Sequence, residues 1–332
     1  MSGVLRFNAF RLHRADGVAA PVGEFVELGI EDLSPGEVVI RVAYTSINYK
    51  DALAAAGLNQ IVRDYPRIGG IDLTGRVEQS SDPRFAPGDA VVVHGFGIGV
   101  DHDGGHAQFA RVRGDWVMPL PEGLSLREAA ILGAAGYTAA LCVHWMEHNG
   151  LSPGGLPVAV SGATGGVASV AIDILAGRGY EVAAISGKGD EDGYLKALGA
   201  SQVLAPSAAA PTGRPLDAGR WAGAVDSVGG EMLAWLLRSA APGAVVTSFG
   251  NAGGAELQTT VLPFILRGVR LIGINANSPM ALRRVVWARL AADYRPRHLE
   301  RIAQTVAFDE LPAAMARMRE RATRGRMVVA MG

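Results

Sequence analysis

Hydrophobic and polar positions divide this chain into two regions with different periodicities. Up to about residue 123, short apolar runs alternate with Gly/Pro/Asp turns, such as residues 34–37 and 86–89. The runs that we predict to be strands are residues 38–44, 75–77 and 90–93. β-Branched residues bounded by such turns are typical of short strands. The first region is therefore predicted to be a compact, mostly β domain with a partly open barrel.

After about Leu126, strand-like runs alternate with helical ones. The predicted helices are residues 127–147, 165–178, 190–198, 230–240 and 280–294, and the predicted strands are residues 157–161, 180–186, 202–204, 223–226, 244–248 and 269–274. This alternation predicts a doubly wound, mostly parallel sheet. A last apolar strand, 327–330, needs a pairing partner, and the β domain offers edges. We therefore predict a discontinuous β domain, 1–123 and 280–332, with the sheet domain, 124–279, inserted.

A glycine-rich turn follows the predicted strand 157–161. It reads Ser161-Gly162-Ala163-Thr164-Gly165-Gly166-Val167-Ala168, and an apolar helical pattern begins at once. Small residues at every third position let the backbone approach a pyrophosphate, while the helix N-terminus attracts the phosphates. An ordinary glycine-rich βα turn is the alternative. The next strand, at the distance of a βαβ unit, favours the dinucleotide interpretation.

The end of that next strand favours NADPH over NADH. An NAD site usually carries Asp or Glu here, whereas this chain reads Ile185-Ser186-Gly187-Lys188. A hydroxyl, an open backbone and a cation suit a 2′-phosphate, which a carboxylate would repel. The acidic residues just beyond, 190–192, are interpreted as the solvated cap of the following helix.

Composition and charge exclude several classes of protein. The 332 residues are 49% hydrophobic and include 44 glycines, which suits a turn-rich α/β protein. A net charge of −1 gives no reason to expect a nucleic-acid or membrane partner. The one cysteine, Cys142, lies in an apolar helical run, and it excludes intrachain disulfides and any multi-cysteine zinc site. The N-terminus shows no signal pattern, so we expect a soluble cytoplasmic protein.

Several stretches together carry a family resemblance. They are Ser46-Ile47-Asn48-Tyr49-Lys50-Asp51, Ile68-Gly69-Gly70-Ile71-Asp72-Leu73-Thr74-Gly75, Gly114-Asp115-Trp116, Gly133-Ala134-Ala135-Gly136-Tyr137-Thr138-Ala139, the glycine turn, Trp221 to Gly229, Thr259 to Arg267, and Gly325-Arg326. In this order they resemble the medium-chain dehydrogenase/reductase superfamily over essentially the full length. The likeness is greatest to its zinc-free, quinone-oxidoreductase-like members and their acryloyl-CoA reductase branch. It implies a GroES-like β-barrel domain plus a Rossmann domain.

The resemblance also shows which metal ligands are missing. Zinc-dependent relatives carry Cys at the position of Asn48 and His-Glu at the positions of Ile71 and Asp72. Isoleucine cannot bind a metal, and one carboxylate lacks partners for tetrahedral coordination. His102 and His106 are expected to be exposed loop histidines. Without a Lewis acid, reduction of a polarised C=C bond is favoured over alcohol oxidation.

The resemblance implies a set of site residues. It places Tyr49 beside the nicotinamide, where its phenol lines the ring and delivers a proton; a tyrosine in the core of the β domain is the alternative. Asn48 is a candidate donor to the substrate carbonyl, and Asp51 is expected to orient the loop. The implied cofactor contacts are Tyr49, Thr164, Gly165, Gly166 and Val167, then Ser186, Gly187 and Lys188 at the 2′-phosphate, and Asn251, Ile265 and Arg326 around the nicotinamide. Two departures are Pro206, where an arginine is common, and Ala276, where a serine is common.

These observations lead to one expected function and two alternatives. The expected function is NADPH-dependent reduction of a short 2-enoyl thioester, with acryloyl-CoA converted to propanoyl-CoA. A general quinone or enone reductase is the enzymatic alternative. A non-catalytic NADPH-binding sensor or structural protein is the other.

A homodimer is also expected. Residues 269–274 read as the last strand of the parallel sheet and carry one charge, Arg270. An unprotected strand edge of this kind pairs readily with a second copy.

Overall fold

The computed structural model describes residues 5–15, 17–18, 20–209 and 214–332. In chain order the strands are β1 (Arg6–His13), β2 (Val22–Gly29), β3 (Val38–Ile47), β4 (Arg67–Ile68), β5 (Asp72–Ser80), β6 (Ala90–His94), β7 (Phe109–Val112), β8 (Met118–Pro119), β9 (Val158–Ser161), β10 (Val182–Ile185), β11 (Gln202–Leu204), β12 (Trp221–Asp226), β13 (Ala240–Ser248), β14 (Arg270–Gly273), β15 (Ala303–Val306) and β16 (Arg326–Ala330). The helices are α1 (Tyr49–Ala55), α2 (Leu126–His148), α3 (Gly166–Gly177), α4 (Asp192–Ala197), α5 (Gly230–Arg238), α6 (Leu262–Arg267), α7 (Met280–Ala291), α8 (Leu299–Ile302) and α9 (Leu311–Arg319). The first four residues, where no signal pattern was found, lie outside the described residues.

The chain divides into two units. Unit 1 comprises Met1–Ala134, Pro279–Arg284 and Ala303–Gly332, and unit 2 comprises Ala135–Ser278 and Val285–Ile302.

Unit 1 is built on β-sheets. Its larger sheet has the order β15-β16-β3-β5-β6-β8, with β7 also paired to β3, and a smaller sheet has the order β2-β1-β4. Its core is formed by inward-facing aliphatic side chains such as Ile40, Leu73 and Val91, each at most 1% exposed. The C-terminal strand β16 finds its partner in β3, with Val329 opposite Thr45.

Unit 2 contains one parallel sheet. The strand order is β11-β10-β9-β12-β13-β14, and every pairing in it is parallel. All four residues of β9 and all four of β10 are buried, as expected for central strands covered by helices on both faces. The predicted doubly wound parallel sheet is confirmed.

Helix α2 is long and apolar but lies in the protein interior. Among the described residues it alone is long and apolar enough to span a membrane, and 89% of that stretch is buried within the protein. Gly133 interrupts it with φ 47° and ψ −150°, a conformation open to glycine. Cys142 lies in the second half, fully buried, and burial raises the pKa of its thiol to about 12.

The division into units differs from the sequence prediction in two places. We predicted the first boundary at 123/124, whereas it falls at 134/135, because the start of α2 is held by unit 1: the Thr74 hydroxyl donates to the Leu126 carbonyl at 2.9 Å. We assigned all of 280–332 to the first domain, whereas 285–302 belongs to unit 2. The Tyr294 hydroxyl there donates to Glu147 at 2.7 Å.

Candidate active site and cofactor site

A buried polar cluster lies where β3 ends and β5 begins in unit 1. The Asp72 carboxylate, 1% exposed, is its centre. It accepts hydrogen bonds from the Ser46 N–H at 3.0 Å, the Asn48 amide at 3.0 Å and the Ala134 N–H at 2.9 Å. The Ser46 hydroxyl donates to the same carboxylate. This carboxylate thus fixes the chain just before α1 and just after the interruption in α2.

Arg326 supplies the cation of this cluster. It is 2% exposed, and its guanidinium lies 3.7 Å from the Asp72 carboxylate. It also donates to the Ile131 carbonyl at 2.8 Å, to the Asn48 side-chain oxygen at 3.1 Å and to the Ser46 hydroxyl. The resemblance assigned Arg326 to the surroundings of the nicotinamide. In the structure all three guanidinium nitrogens have protein acceptors, and burial lowers the pKa of Arg326.

Asp51 joins two backbone segments beneath this cluster. Its carboxylate accepts from the Asn48 N–H at 2.8 Å and from the Ile71 N–H at 3.1 Å, and it is 2% exposed. Burial, reinforced by the negative charge of Asp72, raises the pKa of Asp51 to about 7. The geometry is that of the orienting role expected from the sequence.

This raised pKa leads to a prediction about pH. The folded protein holds the Asp51 proton between pH 3.8 and about 7, where the unfolded chain has lost it. The contribution of this proton to the free energy of unfolding is fully present below the pKa of Asp51 in the unfolded chain. It is lost as the pH rises through the pKa of Asp51 in the folded protein. Relative to Asp51→Asn, the wild-type free energy of unfolding should fall by roughly 2–4 kcal/mol from about pH 4 to about pH 8. Urea unfolding of the wild type and of Asp51→Asn across this pH range measures the change. A difference in stability between the two proteins that does not depend on pH would contradict the prediction.

Tyr49 is exposed beside this buried cluster. It is the first residue of α1, and 48% of it is accessible to solvent. The alternative interpretation, a tyrosine buried in the β-domain core, is wrong. Lys50 is exposed as well. Within this segment Tyr49 therefore presents its ring outward, while Asn48 and Asp51 on either side are buried.

In unit 2, the glycine turn connects β9 to α3. Gly165 is the N-cap, exposed and extended at φ −74°, and α3 begins at Gly166. The first N–H groups of a helix have no partner within it, so they are available to an anion. Gly162 has φ +59°, and a Cβ there would lie 2.3 Å from the Ser227 hydroxyl. Only glycine fits that position, and the turn has the form of a pyrophosphate site.

The other members of this turn are less exposed. Thr164 is 7% exposed and Val167 is half-buried. Little of Thr164 is therefore open to a cofactor, whereas part of Val167 is.

Residues 186–189, directly after β10, contain no carboxylate and include a turn closed by a hydrogen bond. The Ser186 hydroxyl accepts from the Lys188 N–H at 3.0 Å, which closes a tight turn around Gly187. A Cβ on Gly187 would lie 3.6 Å from the Pro206 side chain. The Pro206 side chain thus faces this turn. In the resembled branch an arginine is common at this position.

Asn251 and Ile265 lie in the part of unit 2 that follows β13. Asn251 is exposed, and its Cα lies 3.2 Å from where a Cβ on Gly229 would be. Ile265 is 68% exposed on α6, beside Val261 and Leu266 at 64% and 65%. The structure therefore places Asn251 close to the β12–α5 turn, whereas Ile265 belongs to an exposed apolar helix face.

Two family models match this chain. The model described as "Alcohol dehydrogenase GroES-like domain" matches residues 34–122, and the one described as "Zinc-binding dehydrogenase" matches residues 166–292. Acrylyl-CoA reductase AcuI of Ruegeria pomeroyi is 45% identical over 97% of this chain and 98% of its own length. The chain belongs to the medium-chain dehydrogenase/reductase superfamily. The predicted fold class, a GroES-like domain plus a Rossmann domain, is confirmed.

Other superfamily members resemble the chain as closely. A crystal structure of the yhdH oxidoreductase from Salmonella enterica in complex with NADP has a TM-score of 0.95 at 42% identity, covering 98% of this chain and all of that one. YhfP of Bacillus subtilis, a putative quinone oxidoreductase, is 46% identical over 91% of this chain and 92% of its own length. Its crystal structure with NAD bound has a TM-score of 0.95 at 44% identity, covering 98% and 99% of the two chains.

The three positions that the resemblance assigned to the ligands of zinc-dependent relatives, 48, 71 and 72, lie in or beside the buried cluster. Asn48 and Asp72 hydrogen-bond to each other, and Ile71 contributes only its backbone N–H, to Asp51. Within the described residues no group of three or more His, Cys, Asp or Glu side chains has the arrangement of a metal site.

The two loop histidines are not exposed as we expected. His102 is 8% exposed and its ring lies 2.8 Å from the Arg111 carbonyl; His106 is 1% exposed and packs on Gly69 and Gly70, whose missing side chains leave room for the ring. Burial lowers the pKa of His106 to about 4. Both histidines are therefore part of the interior of unit 1.

Sequence reasoning missed two polar residues that organise these sites. No role was predicted for Ser46, which lies in the stretch Ser46 to Asp51, or for Asp226, which lies in the stretch Trp221 to Gly229 and ends the predicted strand 223–226. Ser46 serves the Asp72 cluster, and Asp226 accepts hydrogen bonds from Ser161 and Ser248 in unit 2. Both are polar residues at or near the ends of apolar strands. That position was the one local signal in the sequence by which they could have been found.

Proposed function

We propose that this protein reduces the C=C bond of a short 2-enoyl thioester with NADPH, and that acryloyl-CoA, giving propanoyl-CoA, is its substrate. The observation that carries the proposal is the 45% identity to acrylyl-CoA reductase AcuI over nearly the whole of both chains. The buried cluster is consistent with it, since a conjugated thioester needs no metal to accept a hydride.

Unit 2 is the cofactor-binding part in this proposal. The N–H groups at the start of α3 and the backbone of Gly165 and Gly166 would hold the pyrophosphate. Ser186 and Lys188 would contact the 2′-phosphate. Bound there, NADPH supplies the hydride that adds to the β-carbon of the thioester. The NADP complex of the Salmonella relative supports this cofactor.

Unit 1 contributes the group that meets the substrate. Hydride addition places negative charge on the thioester oxygen, which a preorganised donor stabilises. The Asn48 amide already donates to Asp72, so we assign this role to the hydroxyl of the exposed Tyr49, which would then deliver its proton to the α-carbon and be reprotonated from water. Asn48 and Asp51 then position Tyr49 from the buried side.

A substrate panel tests the proposed activity. Purified protein is mixed with NADPH and acryloyl-CoA, and the nicotinamide absorbance is followed. We expect turnover of acryloyl-CoA to exceed that of small enones and quinones, and Tyr49→Phe to reduce it while NADPH binding is retained. Equal rates with acryloyl-CoA and with the simple enones would contradict the proposal that a thioester is the substrate.

The same panel distinguishes the alternatives. A general quinone or enone reductase would turn over quinones as well as the thioester, and the name of YhfP favours this as second candidate. A sensor or structural protein would bind NADPH tightly and consume it with no activated alkene.

Cofactor choice gives a separate prediction. Lys188→Glu should weaken NADPH binding by about ten- to a hundredfold, because a favourable charge contact at the 2′-phosphate becomes repulsive. NADH, which lacks that phosphate, should bind nearly as before. Fluorescence titration with both cofactors measures the ratio. An equal loss for both would assign the phosphate to another residue; Lys188→Gln is the matched neutral control.

We also propose a cytoplasmic homodimer joined through β14. This strand ends the six-stranded sheet, so one of its edges has no partner strand within the described chain. Its two central residues are half-buried, and Arg270 is exposed. Pairing two copies across a twofold axis would continue the sheet through both subunits.

Light scattering tests the assembly. The wild type should have twice the chain mass of 34.6 kDa at micromolar concentration. Leu271→Pro should give a monomer, because the Ile274 N–H bonds to β13 and the alternate residue Leu271 therefore has its N–H at the free edge, where proline removes it; Leu271→Val should leave the dimer intact. A monomeric wild type, or a dimer that survives the proline, would refute this interface.

A further inference from the structure

The Asp226 carboxylate in unit 2 is surrounded by four hydrogen-bond donors. Asp226 is the last residue of β12 and is fully buried. Two donors are hydroxyls, of Ser161 at 2.6 Å and of Ser248 at 3.2 Å. The other two are the N–H groups of Val228 at 3.2 Å and Gly229 at 2.9 Å. All of these groups are held in place by one buried charge.

The donors come from the carboxyl ends of three neighbouring parallel strands. Ser161 ends β9, Asp226 ends β12 and Ser248 ends β13, and β12 lies between the other two. From β9 the chain continues to β10 on the opposite side, so the direction of strand succession reverses between β9 and β12. Dinucleotides bind outside the carboxyl ends of open parallel sheets at such a reversal.

A second set of hydrogen bonds connects Asp226 and its donors to the glycine turn. The Ser161 hydroxyl accepts from the Ser227 N–H at 3.0 Å, and the Ser227 hydroxyl donates to the Ser161 carbonyl at 2.9 Å. Gly162 lies against that hydroxyl at φ +59°. On the other side, the Gly253 N–H donates to the Val228 carbonyl at 2.7 Å. The three loops after β9, β12 and β13 are therefore held together through Asp226 and its neighbours.

We propose that Asp226 is a positioning residue for the dinucleotide. Its carboxylate is fully used by the four donors, so it acts on the cofactor through the loops that it fixes. The segment after β10, where Ser186 and Lys188 lie, is not bonded to Asp226. Asp226 therefore serves the pyrophosphate and nicotinamide parts, which NADPH and NADH share. The inference rests on the proposed function only in requiring that unit 2 binds a dinucleotide.

Asp226→Asn tests this role in the full-length protein. Asparagine keeps the size but offers one acceptor oxygen, and its NH₂ group faces donors that are already there. We expect the Kd values of NADPH and NADH, from fluorescence titration, to rise by the same factor, about ten- to a hundredfold. Adenosine 2′-monophosphate, which lacks the pyrophosphate, should bind the variant and the wild type equally, as measured by NMR titration.

Asp173→Asn is the matched control. Asp173 is also fully buried in unit 2, and its carboxylate accepts from the His298 N–H at 2.7 Å. Its replacement should lower the melting temperature comparably but leave both Kd values within about twofold, because Asp173 lies two turns into α3 and its partners are His298 and Arg297 rather than the loops after β9, β12 and β13. If Asp226→Asn weakens the dinucleotides no more than Asp173→Asn does, or weakens adenosine 2′-monophosphate as strongly, Asp226 is only structural and the proposal is overturned.

A milder variant covers the case in which Asp226→Asn does not fold. Ser248→Ala removes one donor and leaves no buried group unsatisfied, since Asp226 keeps three others. It should raise the Kd values of both dinucleotides by about three- to tenfold. Unchanged Kd values would overturn the proposal. A wild-type protein that binds neither NADPH nor NADH would instead refute the proposed function, so the two failures are distinguishable.

Discussion

Replacing Arg326 by methionine is expected to lower the free energy of unfolding by about 3–5 kcal/mol, because it leaves a buried carboxylate without its cation. Arg326 lies 3.7 Å from Asp72 and donates to the Ile131 carbonyl at 2.8 Å. Methionine fills part of the space but offers no donor. Both the Asp72 charge and that carbonyl would then remain buried without their partner.

Urea unfolding measures this loss, and the chain provides a matched control. Arg41 pairs with Glu78 at 3.1 Å, but its side chain is 57% exposed. Because exposed pairs contribute little, Arg41→Met should cost less than about 1 kcal/mol. Adding Asp72→Asn to Arg326→Met should recover part of the loss, since the unpaired charge is removed. If Arg326→Met and Arg41→Met cost the same, the buried pair is not the source of stability that we assign to it.

Gly165→Asp is expected to weaken cofactor binding severely without destabilising the protein. Gly165 is the N-cap of α3 with extended backbone, a position that aspartate favours. A carboxylate there satisfies the free N–H groups of the helix and adds a favourable charge at its N-terminus. The free energy of unfolding should be unchanged or higher by up to about 1 kcal/mol. NADPH and NADH should both bind at least about a hundredfold more weakly, because the carboxylate occupies and repels the pyrophosphate.

Gly165→Asn separates charge from size. Asparagine caps the helix equally well but carries no charge, so it should weaken the cofactors much less than aspartate does. Calorimetry gives the stability of each variant, and fluorescence titration gives its affinity. The prediction fails if the two variants bind the cofactors alike, or if both dinucleotides bind Gly165→Asp normally.

The parallel sheet was predictable from sequence because its signals are local. The run 157–161 and the glycines after it define a strand, a turn and a helix within a few residues, and the structure has β9 and α3 there. The hairpin of β1 and β2 was not predicted. Five of the eight residues of β2 are exposed, so it lacks the alternation that marks a half-buried strand. Strand β15 was also missed, since pairing with β16 rather than its own apolar pattern defines it.

The candidate site was predictable only in part, for the same reason. Ser186 and Lys188 could be proposed from the sequence because the residues that suit a 2′-phosphate lie within one turn. The pairing of Arg326 with Asn48 joins residues 278 positions apart, and no local pattern reports it. His106 was expected at the surface because it stands among loop glycines, yet Gly70 allows the ring to pack inside: a Cβ there would lie 2.7 Å from it.

The buried Cys142 bears on the substrate proposed above, an acryloyl thioester. Such substrates are electrophiles that alkylate thiolates, and the thiolate rather than the thiol is the reactive form. The chain has one cysteine, it is inaccessible, and burial raises the pKa of its thiol to about 12, so almost none of it ionises near neutral pH. The folded protein therefore presents no accessible cysteine thiolate to acryloyl-CoA, the substrate proposed above, and we expect that compound not to inactivate the protein through cysteine alkylation.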